Sequence, residues 1–99
     1  QAMRKPTHPG IILFDGFIEP NNVSVTKLAK HLGFSRETIS RLIHGKAPMT
    51  ANIALALEDA GISTAKLWLS LQSAYDVWEL KQHRQSTIKP FDFGGEALA

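Results

Sequence analysis

The chain has 99 residues, of which 43% are hydrophobic, and it contains no cysteine. This length supports one small core, and the lack of cysteine excludes a disulfide framework and a thiolate site. No apolar run is long enough to cross a bilayer and no signal peptide is recognisable, so we expect a cytoplasmic protein without a membrane partner. Residues 1–3 are interpreted as a cloning remnant followed by the start Met. The folded domain is predicted over residues 4–83, and a tail over residues 84–99.

The net charge of +2 is small, but it is unevenly distributed. Between Ser24 and Lys46 five Lys or Arg residues stand against a single Glu, which gives +4, whereas residues 47–99 carry −2. A basic end on a mildly acidic body suits phosphate contact at one end and protein contact at the other.

A first helix is predicted to begin at Pro9, because the missing N–H of proline costs nothing in the first turn. Its inner face is predicted to carry Ile12, Leu13, Phe17 and Ile18, and it ends near Glu19-Pro20.

Two short helices separated by a glycine follow in residues 24–45. Ser24 can cap the first of them, and Gly33 comes where a left-handed residue would end it. Ser35 can cap the second helix, and Gly45 can stop it. The inward positions carry Val25, Leu28, Ala29, Leu32, Ile39, Leu42 and Ile43. Two short helices around a tight turn are the arrangement of a helix-turn-helix DNA-binding motif.

The outward face of the second of these helices is polar. It carries Arg36, Glu37, Thr38, Ser40 and Arg41, which can bond to base edges or phosphates and are not expected to be needed for folding. A plain helical hairpin also has a polar outer face. DNA binding is favoured because five signals occur together in one register, at Ala29, Gly33, Ser35, Ile39 and Gly45.

The predicted DNA contacts span both helices and the loop after them. We expect Arg36, Glu37, Thr38 and Ser40 to read bases, and Lys27, Arg41 and Lys46 to contact phosphates. The full predicted set is Thr26, Lys27, Ser35, Arg36, Glu37, Thr38, Ser40, Arg41 and Lys46.

Two further helices and a tail complete the chain. Thr50 can cap a fourth helix, and Ser63 or Thr64 can cap a fifth that runs to about His83. In the tail, Pro90 forbids a helix, so residues 88–93 are expected to be extended.

The fifth helix carries more apolar surface than so small a body needs. The part around Trp68 and Leu71 is expected to belong to the core. Leu71, Tyr75 and Trp78 are predicted to form a twofold homodimer interface, because helix-turn-helix proteins usually bind DNA as symmetric pairs.

No enzyme is predicted. His8, His31, His44 and His83 lie in different elements without the spacing of metal ligands, and Thr38 and Ser40 have no base partner in the sequence. We therefore expect no catalytic site, no metal and no cofactor.

Three motifs outside the helix-turn-helix resemble those of one family. They are Pro-x-His-Pro-Gly at residues 6–10, Glu19-Pro20, and Trp-Leu-x-Leu-Gln-x-Ala-Tyr-Asp at residues 68–76. Over about residues 4 to 82 the chain resembles the HigA (VapI-like) antitoxins of the Xre/Cro helix-turn-helix family. The resemblance implies an all-α, five-helix, lambda-repressor-like domain. It also implies an antitoxin that represses its own operon and neutralises a HigB-type ribonuclease toxin.

Two residues depart from the family pattern. Val25 stands where such domains usually have a Gln that touches the DNA backbone, and Ile11 stands where many members have an acidic residue. Two alternatives therefore stay open: a stand-alone Xre-type repressor without a toxin, and a protein-interaction adaptor that has lost DNA binding.

Two surfaces are candidates for docking the toxin. One is the N-terminal arm, residues 3–8, whose positive charge would be repelled by a basic ribonuclease unless the arm finds acidic residues. The other combines acidic residues of the body with the tail; it carries Glu58, Asp59, Asp76, Glu79, Asp92 and Glu96, and Ile88, Phe91 and Phe93 as apolar anchors. Charge complementarity favours the second surface, although the tail could equally pack on its own fifth helix.

Overall fold

The structure, a computed structural model, describes residues 4–94, so residues 1–3 and the last five residues of the predicted tail lie outside the described residues. The described residues form five helices and no strand, which confirms the predicted all-α fold. The helices are α1 (Pro9–Leu13, continued by a π-helical segment, Phe14–Ile18), α2 (Val25–Leu32), α3 (Arg36–Ile43), α4 (Ala51–Asp59) and α5 (Ala65–His83).

Four helices begin at the predicted hydroxyl caps. Ser24, Ser35, Thr50 and Thr64 each accept a hydrogen bond from the backbone N–H three residues further on. Each such cap stabilises a helix by about 1 kcal/mol, because it satisfies an otherwise orphaned donor. Gly33, with φ of 86°, ends α2 in the left-handed conformation that glycine adopts without strain.

The first helix changes its hydrogen-bond pattern midway. The N–H of Glu19 donates to the Phe14 oxygen five residues back, at 2.9 Å, and so widens the turn. Ile18 is buried as predicted, but Phe17 remains 37% exposed, and its ring packs edge-on against Trp68 with centroids 6.1 Å apart. Phe17 therefore lies at the margin of the core and not inside it as predicted, and it belongs to the segment with the wider turn.

The core lies between the five helices. Its most deeply buried large side chains are Leu13, Ile39, Leu42, Leu57 and Trp68. The indole N–H of Trp68 donates to the Ile62 oxygen at 2.8 Å, so the buried ring leaves no polar atom unpaired. Leu71 packs at the margin of this core.

Beyond α5 the described part of the tail, residues 84–94, contains no helix. Ile88, Phe91 and Phe93 are 78%, 72% and 58% exposed, and the two phenyl rings contact each other with centroids 4.7 Å apart. Within the described residues no helix is long and apolar enough to span a membrane.

Candidate DNA interface

The turn between α2 and α3 fixes the direction of α3. The N–H of Phe34 donates to the Ala29 oxygen at 2.9 Å across Gly33, and Ala29 itself is fully buried at the crossing. On α3 the three predicted inward residues, Ile39, Leu42 and Ile43, are all buried. Its opposite face is thereby turned towards solvent.

The predicted base-reading residues near the N-terminus of α3 differ in their exposure to solvent. Arg36 and Glu37 are exposed, whereas Thr38 and Ser40 are half-buried. The Ser35 hydroxyl accepts from the Thr38 N–H at 3.1 Å and also bonds the Thr38 hydroxyl at 2.8 Å. Thr38 thus takes part in the helix cap, a structural contact that the sequence did not predict for this outward residue.

At the C-terminal end of α3, two residues predicted to contact phosphates, Arg41 and Lys46, are hydrogen-bonded to each other. Arg41 donates through Nη2 to the backbone oxygen of Lys46 at 3.5 Å, and the Lys46 N–H donates to the Arg41 oxygen at 2.8 Å. The His44 ring, through Nδ1, donates to the Ser40 oxygen at 2.7 Å. Thr26 and Lys27 are exposed in the first turn of α2, so the predicted set lies at the starts of two helices and in one loop.

Sequence reasoning missed the role of His8. This residue is 4% exposed and caps α1, with Nδ1 accepting from the Gly10 N–H at 3.0 Å. Burial lowers the pKa of His8, although the Asp76 carboxylate and a hydrogen bond to the Ala47 backbone act in the opposite direction. A Cβ at Gly10 would collide with the carbonyl oxygen of Leu42, so α1 begins directly against the end of α3. The signal was present in the Pro-x-His-Pro-Gly motif, which carried no physical meaning until the fold was known.

The three predicted dimer residues are partly covered within their own chain. Leu71 packs on the core, and the Tyr75 ring meets the His8 ring edge-on, with centroids 5.0 Å apart. The ammonium group of Lys5 lies 5.5 Å from the centre of the Trp78 ring. Beside Trp78 runs a surface groove of about 420 Å³, lined by Pro6, Ser70, Ser73, Ala74, Val77, Trp78 and Lys81.

Three of the acidic body residues proposed for toxin docking already have partners. Lys5 pairs with Glu79 at 3.2 Å, and the hydrogen bond from Lys5 lowers the pKa of the Glu79 carboxyl. Asp76 accepts from Gln72 at 2.8 Å, and Glu58 accepts from the Ala65 N–H at 2.7 Å. The N-terminal arm therefore does find an acidic residue, and it is on α5.

Two capped helices around a glycine turn, with an exposed polar start to the second and a basic margin, define a helix-turn-helix protein. No protein-family model matches the chain. The Escherichia coli helix-turn-helix-type transcriptional regulator YbaQ is 36% identical over 86 residues, which cover 87% of this chain and 76% of that protein. The antitoxin HigA-1 of Vibrio cholerae is 35% identical over 89 residues, which cover 90% and 84%.

A solved structure has a similar fold. A Pseudomonas aeruginosa protein crystallised in complex with its operator DNA of 18 bp superposes with a TM-score of 0.80 at 29% identity, covering 91% of this chain and 100% of that one. The chain belongs to the HigA antitoxin family of Xre-type helix-turn-helix regulators, as its three outer motifs predicted. These two relatives are named as a regulator and an antitoxin, not as enzymes.

Proposed function

We propose that this chain is an operator-binding antitoxin that represses transcription from its own promoter. The observation that carries the proposal is the exposed start of α3, where Arg36 and Glu37 project from a helix whose opposite face is buried. Such an end fits the major groove of B-DNA, which is wide enough to admit an α-helix. A protein that represses a bacterial operon works at the chromosome, so we propose that it acts in the cytoplasm.

The side chains have separate roles in this proposal. Arg36 and Glu37 suit guanine and cytosine edges respectively, and the half-buried Thr38 and Ser40 add shorter contacts to bases that approach the helix closely. Phosphate contacts come from Lys27, Arg41 and Lys46, with Thr26 and Ser35 beside the backbone N–H groups of the two helix starts.

A homodimer through α5 would present two copies of α3 to the DNA. The groove beside Trp78 supports this arrangement, because Ser70, Ser73 and Ala74 are small enough to let a second helix approach closely. In such a pair the recognition helices would lie about 34–36 Å apart, or a multiple of it, to meet successive turns of the duplex. Compared with the sequence prediction, the contact moves from Leu71 and Tyr75 towards Ala74 and Val77 and keeps Trp78.

The second activity is neutralisation of a HigB-type ribonuclease toxin. The acidic residues Asp76 and Glu79 of α5 are engaged within the chain, whereas Ile88, Phe91 and Phe93 are exposed on a segment without regular secondary structure. An extended segment with apolar anchors at alternate or nearby positions is a common mode of protein recognition. The tail is therefore our proposed toxin contact, and its exposure favours the antitoxin over a stand-alone repressor.

Operator binding is tested with a labelled duplex from the promoter of the chain's own gene. Fluorescence anisotropy over a salt series is expected to give tighter binding to this duplex than to a scrambled one, with log K falling linearly as log salt rises. Equal affinity for both duplexes would leave only non-specific binding, and no affinity at all would favour the adaptor.

A further inference from the structure

Two sequence motifs that lie outside the DNA interface, at residues 6–10 and 68–76, contact each other in the folded chain. The ring of His8, from the first motif, packs edge-on against the ring of Tyr75, from the second. The carboxylate of Asp76, the next residue, acts electrostatically on the same imidazole. The contact lies beneath the loop that joins α3 to α4, and this loop carries Lys46.

Gln72 holds this loop from the α5 side. Its side chain is only 7% exposed, and its Oε1 accepts from the backbone N–H of Met49 at 2.7 Å. Its Nε2 donates to Asp76 Oδ1 at 2.8 Å. The two partners fix the orientation of the amide, because Met49 can only donate there and the carboxylate can only accept.

The N-terminal segment holds the same loop from the other side. The His8 ring packs on Gly45, where an added Cβ would lie 3.8 Å from the ring Cγ, and it lines the same surface cavity as Ala47, whose backbone acts to raise the pKa of the imidazole. Because Nδ1 accepts from Gly10, the proton of the neutral ring sits on Nε2. Gly45 and Met49 are thus contacted by His8 and Gln72 respectively, and Lys46 lies in the loop between these two contacts.

We propose that His8, Gln72 and Asp76 are positioning residues that hold the Lys46 loop in the conformation that contacts operator phosphates. This inference rests on the proposed operator binding and adds a source of affinity that does not touch DNA. A loop already ordered in the unbound protein loses little conformational entropy when it binds. Releasing the loop would weaken the phosphate contact while the base-reading start of α3 stays in place.

A reciprocal exchange tests the hydrogen bond itself. In Gln72→Glu the Met49 N–H keeps its acceptor, but the new carboxylate faces Asp76 and repels it. Adding Asp76→Asn restores the hydrogen bond in the reverse direction, because the new amide at position 76 can donate to the new carboxylate at position 72. We expect Gln72→Glu to weaken operator binding about tenfold and to lower the salt slope by about one, and the double variant to recover most of both. Asp76→Asn alone keeps an acceptor for Gln72 and completes the double-mutant cycle.

A comparison in the Lys46→Ala background separates positioning from general destabilisation. If Gln72 acts through Lys46, Gln72→Glu costs little further affinity once Lys46 is Ala. His8→Asn gives the same comparison independently, because Asn still caps α1 but no longer reaches the loop as an imidazole does. It also replaces Gln72→Glu if that variant proves unfolded by circular dichroism.

Two results would overturn the inference. One is a folded Gln72→Glu or His8→Asn variant with the affinity and salt slope of the unaltered chain. The other is a loss of equal size with and without Lys46. Failure of the unaltered chain to bind its promoter would instead refute the proposed function, and that measurement comes first.

Discussion

The ammonium group of Lys5 lies 5.5 Å from the centre of the Trp78 ring, which ties the N-terminal arm to the edge of the α5 groove. A carboxylate introduced at Trp78 would therefore find a cation nearby and would be a poor test of the dimer. A positive charge at Ala74 is the better test, because the described lining of the groove contains Lys81 and no acidic residue.

Ala74→Arg is expected to dissociate the proposed dimer. The new positive charge would be buried between two α5 helices beside Lys81 and without an acidic partner among the groove residues, at a cost of about 3 kcal/mol or about a hundredfold in the dimer Kd. Sedimentation should give monomers with unchanged helicity, because Arg and Ala are both good helix formers. Leu80→Arg, on an exposed position outside the groove, is the control and should remain dimeric. If the Ala74→Arg protein still sediments as a dimer, the interface does not lie at this groove.

Arg36→Ala tests base reading. Loss of its guanidinium is expected to weaken operator binding by about 1–3 kcal/mol and to relax the preference at one base position. Competition with single-base operator variants measures both effects. Lys66→Ala, in the first turn of α5, removes an exposed positive charge of the body and should leave both unchanged. If the Arg36→Ala protein kept full operator affinity, Arg36 would not be one of the residues that contact bases.

Lys46→Ala tests phosphate contact. Binding should weaken by a similar factor for operator and scrambled DNA, and the salt slope should fall by about one, because one fewer counterion is released. Anisotropy over a salt series gives both quantities for both duplexes. A loss confined to the operator would mean that Lys46 reads sequence.

Protonation of His8 should make stability depend on pH. Because burial lowers the pKa of His8 below its ordinary 6.5, the unfolded chain takes up this proton first as the pH falls. The contribution of the neutral His8 ring to the free energy of unfolding is fully present above pH 6.5. It is lost as the pH falls from there towards the lowered pKa of His8 in the folded chain. Melting temperatures should decline over this range and decline less in His8→Asn. Parallel curves for the two proteins would show that His8 is not the group responsible.

Removal of the tail tests the toxin contact. A chain ended at Arg84 keeps α1 to α5, so it should retain its melting temperature and operator affinity but bind the toxin weakly. A full-length Phe91→Ser, Phe93→Ser variant tests the anchors without shortening the chain and should be impaired in the same way. Toxin binding that survives both changes would rule out the tail.

The helix-turn-helix was predictable because its signals are local. Ser24 and Ser35 cap helices three residues away, and Gly33 ends a helix beside it, so cap, stripe and stop lie within one short window. The exposed start of α3 follows directly from this register. The same reasoning placed Trp68 in the core, where size and apolar character leave few alternatives.

Contacts between distant parts of the chain were not predictable in this way. Gln72 meets Met49 across 23 residues, and Lys5 meets Glu79 across most of the chain. No spacing rule connects such residues, since their meeting depends on how the helices pack. The π turn was missed for a related reason, because tertiary packing rather than local propensity decides where the wider turn forms.

The lack of regular structure in residues 84–94 also sets the order in which the chain would be degraded. Proteases cut exposed segments that lack regular structure well before packed helices, so cleavage should begin within residues 84–94. One such cut would leave the five helices, and with them the surface of α3, intact. Under the proposed assignment, the clipped chain would still silence its promoter after losing its hold on the toxin. The two activities would then have different lifetimes in the cell, although one short polypeptide carries both.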